Sequence, residues 1–146
     1  LKRDVFEIPR AGTFVMHPGI CPEYRNAHGC FWALAHRDLD RVGMTLLRVD
    51  AGIDTGPVYL HGTCEIDEAR ESHTVIQYRA VIENLDAIGR ILLSLCREEH
   101  VPPVNVEGRT SATWGQPRLT DYLRWKRAAR RDRGPSRNAH GVAAVS

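Results

Sequence analysis

The part of this 146-residue chain that most restricts its fold runs from Thr13 to Pro57. It opens with the short, apolar and β-rich run Thr13–Met16, which leads into His17 and then into a proline and a glycine, residues typical of a turn. It closes with Asp50–Pro57, a glycine-punctuated loop that contains Asp54. A histidine at the end of a predicted buried strand and an aspartate in a tight loop therefore stand at the two ends of one unit.

The middle of this unit contains one predicted helix and one predicted strand. The apolar segment Gly29–His36 predicts a buried helix, and Met44–Val49 predicts a strand. Such a strand–helix–strand unit predicts an α/β fold in which His17 and Asp54 meet at the carboxyl ends of neighbouring strands, where open α/β sheets bind ligands. A carboxylate that accepts a hydrogen bond from an imidazole fixes its tautomer, and such a pair suits general acid or base chemistry.

The segments after this unit predict further packing elements. Val58–Ile66 predicts an antiparallel strand near a sheet edge. From Ser72, a candidate N-cap, apolar residues recur with the spacing of one helix face, which predicts a long packed helix. The positions that predict this face are Val75, Tyr78, Ile82, Leu85, Ile88, Leu92 and Leu95. Val104–Glu107 predicts a last short strand, and an amphipathic helix is predicted to begin near Leu119, with Thr120 as its cap.

A change of composition near Arg130 sets the predicted domain boundary. Residues 1–129 predict one domain, and a chain of this length can bury the core of a single domain. Residues 130–146 contain mainly Arg, Gly, Pro, Ser and Asn with almost nothing large and apolar, so they predict a basic, disordered tail.

Charge, cysteine usage and hydropathy restrict the location of the protein and its partners. The net charge of +2 is too small to indicate a nucleic-acid or membrane-surface partner. The four cysteines are widely spread with no C-x-x-C pair, which favours reduced, mostly buried thiols in a cytoplasmic protein. No apolar run is long enough for a predicted membrane span.

Four segments, taken in order, resemble the second half of the formyltransferase domain. They are His17–Arg25, Phe31–Leu34, Val42–Thr45 and Asp50–Pro57. That domain is shared by phosphoribosylglycinamide formyltransferase, methionyl-tRNA formyltransferase and the sugar N-formyltransferases. The resemblance is close from Phe14 to Ile66 and loose over the predicted long helix. It implies the C-terminal part of a Rossmann-like formyltransferase domain, with a mixed sheet and a long packed helix.

The resemblance also implies a reaction and its residues. In this family a formyl group passes from 10-formyltetrahydrofolate to an amine, here implied to be a small-molecule acceptor. An asparagine, a histidine two positions later and an aspartate in the Asp-x-Gly-Pro loop carry out the transfer, which implies His17 as the acid/base residue and Asp54 as its orienting carboxylate. The residues implied to border the folate are Gly19, Ile20, Cys21, Pro22, Asp50, Ala51, Gly52 and Ile53. The residue types fit, since an attacking amine must lose a proton and the tetrahedral oxyanion must be stabilised.

Two departures from the family pattern leave a second hypothesis open. Val15 occupies the position of the asparagine and cannot donate to an oxyanion, a loss that typically costs about 2.7–4 kcal/mol. Asn26 and His28, in the nearby loop, are the candidates to replace it.

The chain begins with a leucine, and the early strand–helix units of the family domain have no counterpart. We therefore expect part of a longer domain, whose exposed sheet edge favours a homodimer. The alternative function is a formyltransferase-fold domain that binds partners without turnover.

A zinc site is a further alternative from the same loop. His17, Cys21, His28 and Cys30 are chemically suitable for zinc, but their spacing matches no common ligand pattern. We therefore predict no metal.

A basic cluster near the C-terminus raises the alternative of phosphate contacts. A run of arginines leaving a helix is usually a solvated face, so we predict no nucleic-acid partner. The cluster comprises Lys126, Arg127, Arg130, Arg131 and Arg133.

Overall fold

The computed structural model describes residues 2–132, which form a mixed α/β fold. The helices and strands, in chain order, are α1 (Arg3–Phe6), β1 (Phe14–His17), β2 (Arg25–Asn26), α2 (Gly29–Ala35), β3 (Gly43–Arg48), β4 (Val58–Thr63), α3 (His73–Ile82), α4 (Leu85–Cys96), β5 (Thr113–Trp114) and α5 (Leu119–Arg131). The predicted α/β class is confirmed. None of the helices in this part of the chain has the length and apolar character needed to cross a bilayer.

Two small sheets carry the strands. Strands β1, β3 and β4 form an antiparallel sheet in the order β1-β3-β4, and β2 pairs with β5 in parallel. In the first sheet Phe14 lies opposite Arg48 and His17 lies opposite Thr45. The carboxyl end of β1 is therefore beside the amino end of β3. The prediction that His17 and Asp54 meet at the carboxyl ends of neighbouring strands is wrong, because these strands run in opposite directions.

The hydrophobic core lies between the antiparallel sheet and the helices. Helix α2 packs against α3 and α5, and α3 packs on β3. The ring of Phe31 meets that of Trp125 edge to face, with the centroids 5.9 Å apart, and both side chains are buried. Strand β1 was predicted to be buried, but Val15 and Met16 are exposed because β1 is an edge strand of the sheet.

The predicted long helix is two helices, α3 and α4, separated at Glu83 and Asn84. Ser72 caps α3 as predicted, since its hydroxyl accepts the N–H of Val75 at 3.3 Å. The break is held by the Asn84 side-chain amide, which donates to the carbonyl oxygen of Thr63 on β4 at 2.9 Å and to that of Ala80 on α3 at 2.8 Å. An asparagine side chain that bonds to backbone in this way competes with the helical hydrogen bonds.

The buried face of α3 and α4 also differs from the predicted one. The side chains turned toward the core are spaced four residues apart: Ile76, Ala80, Asn84 and Ile88. Four apolar positions of the predicted face are instead exposed: Val75, Tyr78, Ile82 and Leu85. The fold therefore carries an apolar surface on α3 and at the start of α4.

The C-terminal elements differ from the predictions in three details. Val104 donates one backbone hydrogen bond to Val58, at 2.7 Å, but the predicted strand Val104–Glu107 is not formed. Helix α5 begins at Leu119 as predicted, although its cap is Arg118, whose N–H is accepted by the Asp121 carboxylate at 3.0 Å. Helix α5 continues to Arg131, and residues 133–146 of the predicted tail lie outside the described residues.

Candidate active site

His17 and Asp54 lie side by side on one face of the antiparallel sheet. The imidazole Nδ1 is 3.3 Å from the Asp54 Oδ2 atom. The imidazole is 5% exposed and the carboxylate is 17% exposed, so the carboxylate is the more solvent-facing member of the pair. Asp54 reaches the histidine because the loop between β3 and β4 folds back along the sheet from the far end of β3.

Both ring nitrogens of His17 face hydrogen-bond acceptors. The Nε2 atom is 2.7 Å from the backbone carbonyl oxygen of Tyr24, and Nδ1 faces the Asp54 carboxylate. A carbonyl oxygen can only accept, so Nε2 carries a proton in this arrangement. The Nδ1 atom is the ring nitrogen that Tyr24 does not use, and it lies at ion-pair distance from the Asp54 carboxylate. The arrangement therefore places one ring nitrogen against a carbonyl oxygen and the other against a carboxylate.

The Asp54 loop is fixed by backbone and side-chain bonds at several points. Asp54 adopts a left-handed conformation with φ of 52°, a region that Asp and Asn tolerate better than most residues. Its Oδ2 atom also accepts the backbone N–H of Asn26 at 2.8 Å. Within the loop, the Asp50 carboxylate accepts the N–H of Gly52 at 2.9 Å and the hydroxyl of Thr55 at 2.8 Å. These bonds orient the Asp54 side chain toward β1.

A close contact between two glycines holds the loop that follows β1. A Cβ atom at Gly19 would lie 2.6 Å from the Tyr24 carbonyl oxygen and 2.8 Å from the Cα of Gly29. A Cβ atom at Gly29 would lie 2.5 Å from the same Tyr24 oxygen. Only glycine fits at either position without displacing the carbonyl that binds His17.

Two residues that the sequence analysis did not single out also bind this loop. The hydroxyl of Thr45, a fully buried residue, donates to the Gly19 carbonyl at 2.6 Å and accepts the N–H of Cys21 at 3.0 Å. The His61 Nε2 atom lies 2.8 Å from the Cys21 carbonyl oxygen. Burial lowers the pKa of His61, and the nearby Arg109 charge lowers it further, which favours a neutral ring that donates through Nε2. The sequence signal for Thr45 is that it is the polar residue inside the otherwise apolar run Met44–Leu47.

The residues implied to border the folate occupy two different surroundings. In the loop that follows β1, Gly19, Ile20 and Cys21 are buried and Pro22 is half-buried. Ala51, Gly52 and Ile53 are exposed at the tip of the Asp54 loop, whereas Asp50 is half-buried at its base. The Arg25 guanidinium, three residues after Pro22, ties the loop tip to strand β2 by donating to the Ile53 carbonyl at 3.0 Å. The two segments therefore lie together beside the His17–Asp54 pair.

The cysteines near the site are neither activated nucleophiles nor a metal centre in this structure. Burial, followed by the negative charge of Asp54, raises the pKa of the Cys21 thiol to about 12. Burial likewise raises the pKa of Cys30 to about 12. Among the described residues, no three histidine, cysteine or carboxylate side chains converge as a metal site would require. The four residues of the zinc alternative thus form no such group.

The candidates to replace the asparagine point elsewhere. Val15 lies on the same face of β1 as His17, two positions before it, and offers no donor. The Asn26 side-chain amide donates to the Trp114 carbonyl at 2.8 Å. The His28 Nε2 atom is 2.8 Å from the Gln116 Oε1 atom. Both side chains are thus bonded to the segment around β5, away from the His17 ring.

The basic cluster on α5 divides into a structural residue and solvent-facing ones. The Lys126 ammonium donates to the carbonyl oxygen of Glu68 at 2.8 Å and to that of Glu71, and it lies 4.3 Å from the Trp125 ring centroid. The remaining described members are exposed: Arg127, Arg130 and Arg131. Arg133 lies outside the described residues.

Comparison with known proteins gives a family for the part of the chain that holds this site. A family model described as formyl transferase matches residues 1–91. A methionyl-tRNA formyltransferase from Legionella pneumophila is 33% identical over 91 residues, which cover 60% of this chain and 29% of that protein. One from Microcystis aeruginosa is 32% identical over 136 residues, covering 90% of this chain and 40% of that protein.

Two further comparisons extend the set. Human mitochondrial 10-formyltetrahydrofolate dehydrogenase is 33% identical over 67 residues, or 46% of this chain and 7% of that protein. The crystal structure of a sugar N-formyltransferase from a Shewanella species superposes with a TM-score of 0.52 at 16% identity, over 79% of this chain and 50% of that chain. That likeness shows a shared fold. The chain thus spans well under half the length of these curated relatives.

Proposed function

Because this chain belongs to the formyl transferase family, we propose that it takes part in transfer of a formyl group from 10-formyltetrahydrofolate to an amine. In that reaction the amine nitrogen attacks the formyl carbon, and a new C–N bond forms. The bond between the formyl carbon and N10 of the folate then breaks. The amine loses one proton and the departing N10 gains one, so a group that holds a single proton serves both ends of the step.

The observation that carries this proposal is the 3.3 Å approach of the His17 Nδ1 atom to the Asp54 carboxylate. We assign His17 as the acid/base residue and Asp54 as the carboxylate that orients it. Because the imidazole is 5% exposed and Asp54 is 17% exposed, the substrate approaches the pair from the carboxylate side. A positively charged imidazole would also stabilise the negatively charged tetrahedral oxyanion.

The donor site is proposed to lie along the two segments that meet beside this pair. The exposed loop tip Ala51–Ile53 supplies backbone groups, and the buried segment Gly19–Cys21 forms the floor. The arrangement supports this assignment because the Arg25 bond to Ile53 holds the loop tip against the β2 side of the site. The name of the human relative, a 10-formyltetrahydrofolate dehydrogenase, contains the compound proposed here as donor, which agrees with the proposal.

A second candidate function is a binding domain of the same fold without turnover. Val15 favours it, because an apolar side chain stands on the His17 face where an oxyanion donor is needed. The engagement of Asn26 and His28 with the β5 segment favours it too. This candidate predicts donor binding with no formyl transfer to any amine.

The experiment that tests the proposal is a titration of the chain with 10-formyltetrahydrofolate, followed by intrinsic fluorescence or calorimetry. We expect saturable binding that weakens in Asp54→Asn, with Asp86→Asn, an exposed site on α4, as the matched control. An amine panel with an amino sugar and an aminoacyl-tRNA follows, since the relatives act on those classes of acceptor. No binding at high ligand concentration would contradict the proposed donor site.

The transfer assay then separates the two candidates. We expect His17→Ala to abolish transfer and Asp54→Asn to lower its rate by at least about a hundredfold, the usual contribution of a positioned acid/base group. Saturable donor binding with no transfer in the unmodified chain supports the binding domain instead. Transfer that survives both substitutions rules out the His17–Asp54 mechanism.

A further inference from the structure

A row of three polar side chains crosses the antiparallel sheet beneath the candidate active site. His17 on β1 lies opposite Thr45 on β3, and Thr45 lies opposite His61 on β4. Residues that lie directly opposite on neighbouring strands point to the same face of a sheet. The three side chains therefore form one polar row across a single face of the sheet.

Every member of this row binds the backbone of the same short segment, Gly19–Tyr24. Thr45 binds the Gly19 carbonyl at 2.6 Å and the Cys21 N–H at 3.0 Å. His61 binds the Cys21 carbonyl at 2.8 Å, and His17 binds the Tyr24 carbonyl at 2.7 Å. Four backbone polar groups of one loop are thus satisfied by three side chains from three strands.

The burial and the hydrogen bonds of this row indicate that it holds the segment Gly19–Tyr24 in place beside His17. Thr45 is fully buried, and its hydroxyl uses both its donor and its acceptor capacity on this segment. Within the segment the N–H of Tyr24 closes a turn on the Ile20 carbonyl at 2.9 Å, which links the part held by Thr45 to the carbonyl that holds His17. A change at Thr45 or His61 is therefore transmitted to the imidazole through only a few bonds.

We propose that Thr45 and His61 are positioning residues that hold the segment Gly19–Tyr24 on the sheet and thereby fix the orientation of His17 toward Asp54. Both act on the backbone of this segment, and neither is proposed to touch substrate. The effect on formyl transfer rests on the proposed function, whereas the effect on the loop and on the imidazole does not.

The first test needs no folate. In Thr45→Val the Cys21 amide loses its acceptor, so we expect its hydrogen exchange to speed up by at least about tenfold through local opening. We also expect the NMR resonances of the His17 ring to shift. Thr45→Ser keeps the hydroxyl and is expected to restore both signals. Thr63→Val is the matched control, because the Thr63 hydroxyl makes no hydrogen bond within residues 2–132.

A second pair of variants keeps the test decisive if Thr45→Val does not fold. His61 is half-buried on the edge strand β4, where His61→Leu removes the donor and His61→Gln restores one at a similar reach. We expect the leucine variant, and not the glutamine variant, to shift the His17 ring resonances. Unchanged Cys21 exchange and unchanged His17 resonances in the valine and leucine variants would overturn the proposal.

The last arm measures formyl transfer. If the unmodified chain transfers a formyl group from 10-formyltetrahydrofolate, Thr45→Val is expected to lower the transfer rate by up to about a hundredfold, the scale of a 1 Å misplacement, with Thr45→Ser near the unmodified rate. If the unmodified chain binds no folate, the proposed function fails while the NMR and exchange results still decide the positioning role.

Discussion

The Oδ2 atom of Asp54 faces the Nδ1 atom of His17 at 3.3 Å and accepts the N–H of Asn26 at 2.8 Å. One carboxylate oxygen thus connects three parts of the chain: strand β1, strand β2 and the loop between β3 and β4. Substituting Asp54 by asparagine keeps an oxygen for the Asn26 N–H and tolerates the left-handed backbone. That substitution therefore isolates the charge that faces the imidazole.

A methyl group at Gly19 is expected to destabilise the fold and disturb the site. Its Cβ would lie 2.6 Å from the Tyr24 carbonyl oxygen, so Gly19→Ala should lower the free energy of unfolding by about 1–3 kcal/mol. The control is Gly89→Ala on α4, where the added Cβ would have no atom within 4 Å apart from its chain neighbours and the backbone of its own helix. An alanine there is expected to stabilise the helix by about 0.5–1 kcal/mol. Urea denaturation of both variants checks the contrast, and equal changes would contradict it.

The cysteines are expected to differ sharply in reactivity. Burial raises the pKa of Cys21 and Cys30 to about 12 and that of Cys64 to about 11, so these thiols stay protonated near neutral pH. Cys96 is exposed at the end of α4. A disulfide reagent at pH 8 should therefore modify one thiol in the folded chain and four after denaturation. In Cys96→Ser no thiol should react while the chain is folded. If one still reacts, one of the other three thiols is accessible.

The stability of the chain is expected to fall on acidification, partly through His73. Its ring lies among Phe31, Tyr122 and Trp125, and its buried Nδ1 atom has no hydrogen-bond partner. Burial lowers the pKa of His73, and positive charge on His28 and Lys126 lowers it further. The unfolded chain therefore binds this proton more readily, and stability is lost as the pH falls below about 6.5.

The variant His73→Phe tests this assignment. We expect it to raise the free energy of unfolding at pH 7.5 by up to about 1 kcal/mol, since a buried unsatisfied nitrogen is removed. The loss of stability between pH 7.5 and pH 5.5 should also become smaller than in the unmodified chain. His100→Gln, at an exposed position, should leave that loss unchanged. A loss that is identical in the phenylalanine variant and the unmodified chain would rule out the role of His73.

The chain is expected to self-associate through its exposed apolar surfaces. Ile82 is 65% exposed on α3, beside other exposed apolar residues, and β1 is an edge strand with two exposed apolar side chains. Sedimentation velocity at micromolar concentrations should show a dimer or larger species that Ile82→Glu weakens. Leu119→Glu is the matched control, because Leu119 is 73% exposed on a different helix. If the unmodified chain is monomeric at these concentrations, neither the α3 surface nor the β1 edge is an interface.

The strands and helices around the site could be predicted because local signals define them. Proline and glycine mark the end of β1, and continuous apolar runs define α2 and β3. The break between α3 and α4 could not be predicted, since it depends on the contact of Asn84 with Thr63 on another element. The buried helix face was missed for a related reason. It includes Ala80 and Asn84, which contribute little hydrophobicity, so larger exposed residues dominated the pattern.

The site itself was only partly visible in the sequence. The proximity of His17 and Asp54 was predicted, but its geometry depends on a loop folding back over an antiparallel pair, which hydrophobic periodicity does not encode. Thr45 is a polar residue in an apolar run, but the sequence does not show which loop its hydroxyl binds, and His61 leaves no local pattern. The positioning role proposed for them rests on the strand register, which places both in one row with His17.

The loop from Val49 to Pro57 is anchored both at its base and near its tip. At the base the N–H of Val49 binds the Thr13 carbonyl at 2.7 Å, and that of Arg48 binds the Pro57 carbonyl at 2.9 Å. Near the tip, the Arg25 bond to Ile53 and the bonds of Asp54 described above hold it down. A displacement of this loop would therefore break the contact between Asp54 and His17 as well. A ligand that binds only when the two side chains are in contact must bind more weakly to any variant in which the loop is displaced.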